Sequence, residues 1–342
     1  MNSSELRKDP FSDGWVIISP DRNFKPSDFK VEEIKPEINS YETKCPFCPG
    51  NEGETSVEIR ALGRNDTENI SEWAIRVVAN RFPALKIENK LSFDNLNKVH
   101  NRIGGMGAHE VIIESPEHNL EFHTFSNEKR KEILEVFRER IEDLYKDYRF
   151  AYVQLFRNFG KDAGASLVHP HSQIIAVPTI PKRGMEEIKA SENFWKTYSE
   201  CIFCAKINNN ENFQERVILE NDEFIAFVPY AARFAFETWI MPKKHSSEFQ
   251  NCNPKELKEL SEIMGKTQTA IAECLNNPPY NLVLHTSPNL ENKYLENIQE
   301  YFHWHFEIIP RITSIAGFEW GTGFYINPIS PEKSAKMLRE FI

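Results

Sequence analysis

The chain has 342 residues, with 41 Lys and Arg against 51 Asp and Glu, a net charge of -10, and 40% hydrophobic and 27% charged residues. That balance is typical of a soluble globular protein, and it argues against a broad nucleic-acid-binding surface, which needs clustered Lys and Arg. Met1 to Pro10 hold no apolar segment and no run approaches about 18 uninterrupted apolar residues, so neither a secretory leader nor a membrane span is expected, and the cytoplasm is the expected location.

In chain order, the first signal is Cys45-Pro46-Phe47-Cys48. Glu110-Val111-Ile112-Ile113 then reads as a strand that ends at Ser115-Pro116-Glu117-His118. Ile133, Phe137, Ile141, Leu144 and Tyr148 recur at three- and four-residue steps, which predicts a long amphipathic helix. A strand-like run follows over 150–157, then a glycine-containing loop, His169-Pro170-His171, and a second apolar run, Ile174-Ile175-Ala176-Val177.

The same order then repeats. Cys201-Ile202-Phe203-Cys204 leads to the strand-like Thr238-Trp239-Ile240-Met241 and to Pro242-Lys243-Lys244-His245. Asn253, Pro254 and Glu256 form a capping box with proline at the first helical position, ahead of an apolar face of Leu257, Leu260, Met264 and Ile271. A strand-like run over 281–284 precedes His303-Trp304-His305 and Phe306-Glu307-Ile308-Ile309. Each half therefore reads C-x-x-C, strand, His, helix, strand, His-x-His, strand. A duplicated order of this length predicts an α+β architecture of two tandem halves, each an antiparallel sheet carrying a long helix. The boundary is expected within 181–200, dividing the chain into residues 1–185 and 186–342.

Two thiolates from a C-x-x-C turn occupy half of a zinc tetrahedron. The repeat supplies the other two ligands in each half: Cys45, Cys48, His118 and His169 in the first, and Cys201, Cys204, His245 and His303 in the second. Cys252 and Cys274 have no partner at ligand spacing and read as ordinary thiols. His100, His109 and His123 read as surface or structural residues. Residues two apart on a strand share a face, so a metal on His169 fixes the strand that carries His171. His171 is then left as a nucleophile toward phosphorus, with Ser172 and Gln173 as donors to phosphate oxygens. The small-residue loop 158–166 is expected to bring backbone amides close to a phosphate. The second half has His-Trp-His-Phe-Glu and no such loop, which makes the first half the catalytic one.

These residues resemble the galactose-1-phosphate uridylyltransferase family of the histidine-triad superfamily. The likeness runs from Asp9-Pro10-Phe11-Ser12-Asp13-Gly14-Trp15-Val16 through Gly107-Ala108-His109-Glu110-Val111 and His169-Pro170-His171-Ser172-Gln173 to Gly317-Phe318-Glu319-Trp320-Gly321-Thr322-Gly323. The resemblance implies ping-pong transfer between a nucleotide sugar and a sugar 1-phosphate through a nucleotidyl-His171, with Gln173 assisting. It implies phosphate and nucleotide contacts from Asn80, Asn158, Gly164, Ala165, Ser166 and Gln173. It also implies a homodimer in which Arg22, Lys25, Gly317 and Phe318 reach the other subunit's site. Some members hold a second metal, as iron, on residues matching Glu187, His285, His303 and His305, whereas Cys201, Cys204 and His245 point to a second zinc. Ser172 stands where other uridylyltransferases have glycine, a feature shared with the plant ADP-glucose phosphorylase branch. UDP-glucose:hexose-1-phosphate uridylyl transfer is the leading expectation. Its alternatives are an ADP-glucose phosphorylase, a histidine-triad hydrolase or nucleotide sensor, and a purely structural zinc protein.

Overall fold

A computed structural model describes residues 3–12, 14–20, 39–64, 71–208, 213–290 and 295–342. In chain order the strands are β1 (Glu5–Lys8), β2 (Trp15–Ile18), β3 (Glu58–Leu62), β4 (Ile75–Ala79), β5 (Phe93–Asn95), β6 (Asn101–Ile103), β7 (Ala108–Ile113), β8 (Tyr152–Phe159) and β9 (His171–Val177), followed by β10 (Val217–Glu220), β11 (Phe224–Phe227), β12 (Thr238–Pro242), β13 (Tyr280–His285), β14 (His305–Pro310) and β15 (Tyr325–Asn327). The helices are α1 (Asn127–Tyr145), α2 (Lys182–Tyr198), α3 (Ile202–Asn208), α4 (Pro254–Leu275), α5 (Ile298–Tyr301), α6 (Gly317–Thr322) and α7 (Pro331–Arg339).

Ten strands form one antiparallel sheet in the order β10-β11-β12-β14-β13-β8-β9-β7-β4-β3. The order is palindromic in kind: five strands of each half, joined where β8 pairs with β13. The α+β class and the tandem organisation expected from the repeat are both present. Beyond the repeat, β1, β2 and β15 make a separate three-stranded sheet, held to α7 by the bidentate Arg7–Glu332 pair.

The strand period decides what each face carries. Residues such as Leu155, Ile174, Leu282 and Phe306 turn toward α1 and α4 and enter the main core with Ile133, Phe137, Leu260 and Met264. Each such side chain contributes on the order of 1.5–3 kcal/mol by leaving water. Ser126 caps α1 by accepting from the Lys129 N–H, and Asn253 caps α4 through the expected capping box with Pro254 at its start. Where the helices cross, Arg130 donates to the Ser261 carbonyl. Its guanidinium lies against Gly265 and leaves no room for a Cβ there.

One expectation shifts: the helix predicted to include Tyr148 ends at Tyr145, and Tyr148 is exposed. The charged stretch 181–200 is mostly α2, which buries Glu187 and Ile188. The opposite face of the sheet carries two smaller clusters, one around Cys45, Phe47 and Val111 and the other around Phe11, Cys201 and Trp239. The chemistry lies on this face. No helix among the described residues is long and apolar enough to cross a membrane.

Candidate functional site

Each half gathers two cysteines and two histidines into a group whose ligand atoms lie within 4.8 Å of one another: Cys45, Cys48, His118 and His169, and Cys201, Cys204, His245 and His303. The Cys48 sulfur is 3.5 Å from His118 Nδ1 and 3.6 Å from His169 Nδ1, with Cys45 3.7 Å from His169 Nδ1. Cys204 is 3.4 Å from His245 Nδ1 and 3.7 Å from His303 Nδ1. Metal–sulfur and metal–nitrogen bonds of about 2.3 and 2.05 Å at a tetrahedral angle put the two ligand atoms about 3.6 Å apart. Both groups therefore have the dimensions of a four-ligand metal site.

The outer nitrogens agree with that reading. His169 Nε2–H donates to the Ser115 carbonyl at 2.7 Å, His303 Nε2–H to Pro242 at 2.9 Å and His245 Nε2–H to Gln299 at 2.8 Å. Each bond leaves the Nδ1 lone pair facing the sulfurs. Burial holds the His169 imidazole neutral, down to about 4, and pushes the Cys45 thiol up to about 11, with the neighbouring Cys48 adding to it. Burial resists ionisation of the Cys45 thiol, and a cation is what would reverse that.

His171 opens β9 two residues past His169, and its tautomer is the reverse. Nδ1–H donates to the His169 carbonyl at 2.8 Å, so the lone pair is on Nε2. The ring is 7% exposed, and burial lowers its pKa, so the imidazole is the neutral form. It lines a cavity of about 330 Å³ with Phe47, Asn80, Ser166 and Gln173. The Phe47 ring meets the His171 ring edge-on at 5.4 Å. His169 and His171 thus face one way with opposite lone pairs, one toward the thiols and one toward the cavity.

Of the four residues expected from the end of β8 and the loop after it, Ser166 lines this cavity, whereas Asn158, Gly164 and Ala165 are not among its lining residues. Three amides of the loop are engaged within it. The N–H groups of Ala163 and Ala165 donate to Gly160 and that of Gly164 to Lys161. Gly164 itself has a φ of +88°, a left-handed conformation that favours glycine. Ser172 also departs from expectation. As a strand neighbour of His171 it points to the helix side, where its hydroxyl donates to Glu114 at 2.6 Å, and Glu114 pairs with the buried Arg157 at 3.1 Å. It cannot serve a phosphate at His171. Gly317 and Phe318 lie on α6, none of whose residues is buried, and Arg22 and Lys25 fall outside the described residues.

The set Glu187, His285, His303 and His305 divides. His303 joins the thiol group, while Glu187, His285, His305 and Glu307 form a separate buried cluster. Arg183 reaches Glu187 at 3.1 Å, and Arg233 reaches Glu307 at 2.6 Å and Glu237 at 2.8 Å. These four could themselves hold a metal ion, as two glutamates and two histidines in place of the expected glutamate and three histidines, and two guanidinium groups also supply positive charge there.

The family model described as galactose-1-phosphate uridyl transferase, N-terminal domain, matches residues 1–181. The chain belongs to the galactose-1-phosphate uridylyltransferase family. Within it, ADP-glucose phosphorylase of Arabidopsis thaliana is 36% identical over 339 residues, covering 99% of this chain and 93% of that protein. Galactose-1-phosphate uridylyltransferase of Thermotoga maritima is 30% identical over 348 residues, covering 98% of each. The solved structure of an Arabidopsis thaliana ADP-glucose phosphorylase with bound ADP-glucose superposes with a TM-score of 0.82 at 33% identity, covering 99% of both chains. Both kinds of relative are named as nucleotidyltransferases, and membership makes this chain one.

Two polar residues at the site lay outside the sequence reading. His109, read as surface or structural, contacts Gln173 at 2.9 Å, and Asn281 of the second half contacts Asn158 at 2.8 Å. His109 stands in the Gly107–Val111 segment of the family likeness but had no role assigned there, and Asn281 stands in no motif. Only pairing between strands brings each to its partner.

Proposed function

We propose that this member of the family moves a nucleotidyl group between a nucleotide sugar and an acceptor phosphate by way of His171. The observation that carries this is the His171 tautomer, whose unprotonated Nε2 faces the cavity while Nδ1–H is held by the His169 carbonyl. Nε2 attacks the α-phosphorus, a P–N bond forms, and the P–O bond to the sugar 1-phosphate breaks with its electron pair on the departing oxygen. An acceptor phosphate oxygen then displaces the imidazole and regenerates it. Gln173, Asn158 and Asn80 bind the phosphate oxygens and the nucleotide, with Gly164, Ala165 and Ser166 letting the chain approach closely.

Zinc suits both Cys₂His₂ groups, since thiolate and imidazole are its preferred ligands and neither histidine pair leaves an open position. The metal would act structurally, anchoring His169 and the start of β9. Residues 1–185 are the catalytic half and 186–342 its supporting copy. The active unit is a homodimer in a reducing, cytoplasmic setting, with Arg22, Lys25, Gly317 and Phe318 acting across the interface.

For the base, 36% identity to an ADP-glucose phosphorylase against 30% to a uridylyltransferase supports an adenylyl group. Uridylyl transfer, the leading expectation from sequence, is the second reading, favoured by the family match over residues 1–181. Incubation with ADP-glucose and UDP-glucose labelled at the α-phosphorus separates them. Label should stay on the protein from ADP-glucose and be discharged by inorganic phosphate or a sugar 1-phosphate. Label from UDP-glucose alone establishes the second reading, and label from neither ends the covalent one.

A further inference from the structure

Two carboxamides sit at the proposed phosphate site, and an amide can present either an acceptor or two donors. Which end faces a phosphate decides whether it attracts or repels.

For Gln173 the choice follows from a chain of bonds. The Ala84 N–H donates to His109 Nδ1 at 3.3 Å, so the His109 proton is on Nε2. That Nε2–H then donates to Gln173 Oε1 at 2.9 Å, and Asn80 Nδ2, 3.0 Å from the same nitrogen, is left in a contact that is not a hydrogen bond. Asn80 has its own oxygen held by the Phe82 N–H at 2.8 Å, and its Nδ2 reaches the same Gln173 oxygen at 3.5 Å. With Oε1 engaged twice, Gln173 has only its N–H₂ left for the cavity it shares with His171.

For Asn158 the second half makes the choice. Asn281 stands opposite it in the β8–β13 pairing. Its Nδ2 donates to Asn158 Oδ1 at 2.8 Å and to the Ala163 carbonyl at 2.8 Å. Asn158 Nδ2 is thereby turned toward Gly164, 3.9 Å from where a Cβ on that glycine would stand. The loop amides of Ala163, Gly164 and Ala165 are already used within the loop, so the donors on this side come from the Asn158 side chain.

We infer that His109 and Asn281 are positioning residues that hold the carbonyl oxygens of Gln173 and Asn158 so that both amides turn N–H donors on the phosphoryl oxygens. The inference rests on the proposed transfer at His171 for its chemistry, and on anion binding alone for its geometry. It also gives the second half a direct part in the first half's site, through one side chain.

The test is a pair of double-mutant cycles on the full-length, zinc-loaded protein, followed by kcat, KM and the dissociation constants of AMP and UMP. One cycle joins Asn281→Asp with Asn158→Ala, the other His109→Ala with Gln173→Ala. A carboxylate in place of the Asn281 amide cannot donate, so Asn158 would turn its N–H₂ inward and its oxygen to the phosphate. Asn281→Asp alone should lower kcat about 100-fold with KM changed less than about fivefold, the scale of losing one oxyanion donor. In the Asn158→Ala background the same change should cost less than about threefold, because there is no amide left to turn. His109→Ala should likewise add little once Gln173 is alanine, and His109→Gln, which keeps a donor, should recover most of the activity. Additive losses in either cycle would overturn the assignment of that residue, since charge or general disruption acts in both backgrounds. If the wild-type protein transfers no nucleotide yet the monophosphate affinities are non-additive, the orientation stands and the transfer reading fails. If transfer proceeds and every cycle is additive, the transfer reading stands and the orientation fails.

Discussion

The two halves place corresponding residues at the same point of the same sheet, and the chemistry differs completely. In the first half His171 begins β9, Gln173 lies opposite Phe156, and Asn158 follows two residues on. In the second half His305 begins β14, Glu307 lies opposite Val283, and His285 follows two residues on. Each catalytic-position histidine donates Nδ1–H to the carbonyl of the metal-group histidine before it, at 2.8 Å for His171 and 3.2 Å for His305. The frame is shared to that level of detail. Beyond it, the first half presents neutral amides to a cavity, and the second presents carboxylates to arginines. Glu187 comes from α2 into the second site and accepts from His285 at 2.8 Å, and the rings of Trp239 and His285 stack on the two sides of His305 at 4.4 and 4.8 Å. In the second half a carboxylate, Glu307, holds the strand position that Gln173 holds in the first, with the fold and the Cys₂His₂ group kept.

The sharpest way to break this comparison is to remove the two histidines separately. His171→Gly should lower single-turnover transfer by at least about 10⁴-fold, the scale of losing a covalent nucleophile, with both metals retained. His305→Ala should leave transfer within about threefold and lower thermal stability, since it empties a stacked, fully buried position by about 2–4 kcal/mol. Metal analysis and labelling on both variants, with Cys45→Ser as the variant that does lose metal, check the pair. Equal loss of transfer in the two would mean the halves are not divided as described.

The next effect concerns stability against pH in the second half's buried cluster. Burial alone would raise Glu307, but Arg233, His285, His305 and Arg183 outweigh it and hold this carboxyl well below its usual value of 4.5. A carboxyl depressed in the folded state stabilises the fold above the unfolded value. That contribution is lost as pH falls through the folded value. Glu307→Gln should therefore cost about 1.5–3 kcal/mol at neutral pH by removing one of the two carboxylates on Arg233, which keeps Glu237, and the gap between wild type and variant should narrow steadily below pH 4.5. Urea melts at several pH values read this directly, and a gap that stays constant into acid would remove the charge network from the explanation.

What could be read from sequence divides along the same line. The metal groups were legible because duplication wrote them twice in local motifs, Cys-x-x-Cys and His-x-His, whose spacing is fixed by chain geometry. The helix α4 was legible to its first residue, since Asn253, Pro254 and Glu256 cap it through contacts within three residues. The roles of His109 and Asn281 were not legible, because each acts on a residue more than 60 positions away. Arg183 and Arg233, which bring positive charge to Glu307, were silent for the same reason. Helix α2 was hidden by its charge, its few buried residues being Gly184, Glu187, Ile188 and Ser191, too sparse to mark an apolar face.

The smallest effect tests the residue that sequence made most suggestive. Ser172 stands where the family resemblance leads one to expect glycine in the classical uridylyltransferases, which invites the idea that it reads the nucleotide. Strand alternation puts it on the wrong face for that. Its hydroxyl is fully buried and bonded to Glu114, whose own N–H donates to the Pro170 carbonyl at 3.1 Å. Glu114 thus grips the chain on both sides of His171, once through residue 170 and once through residue 172. Ser172→Gly should cost about 2–3 kcal/mol of stability, from a lost hydrogen bond to a charged acceptor and a glycine in a strand. It should also lower kcat a few-fold by loosening His171. The ratio of kcat/KM for ADP-glucose over UDP-glucose should stay within about twofold of wild type. A shift of tenfold or more toward UDP-glucose would mean that the helix side of β9 reaches the base after all. Preference would then be set through the position of His171 itself, and the line drawn between the two faces of the sheet would have to move.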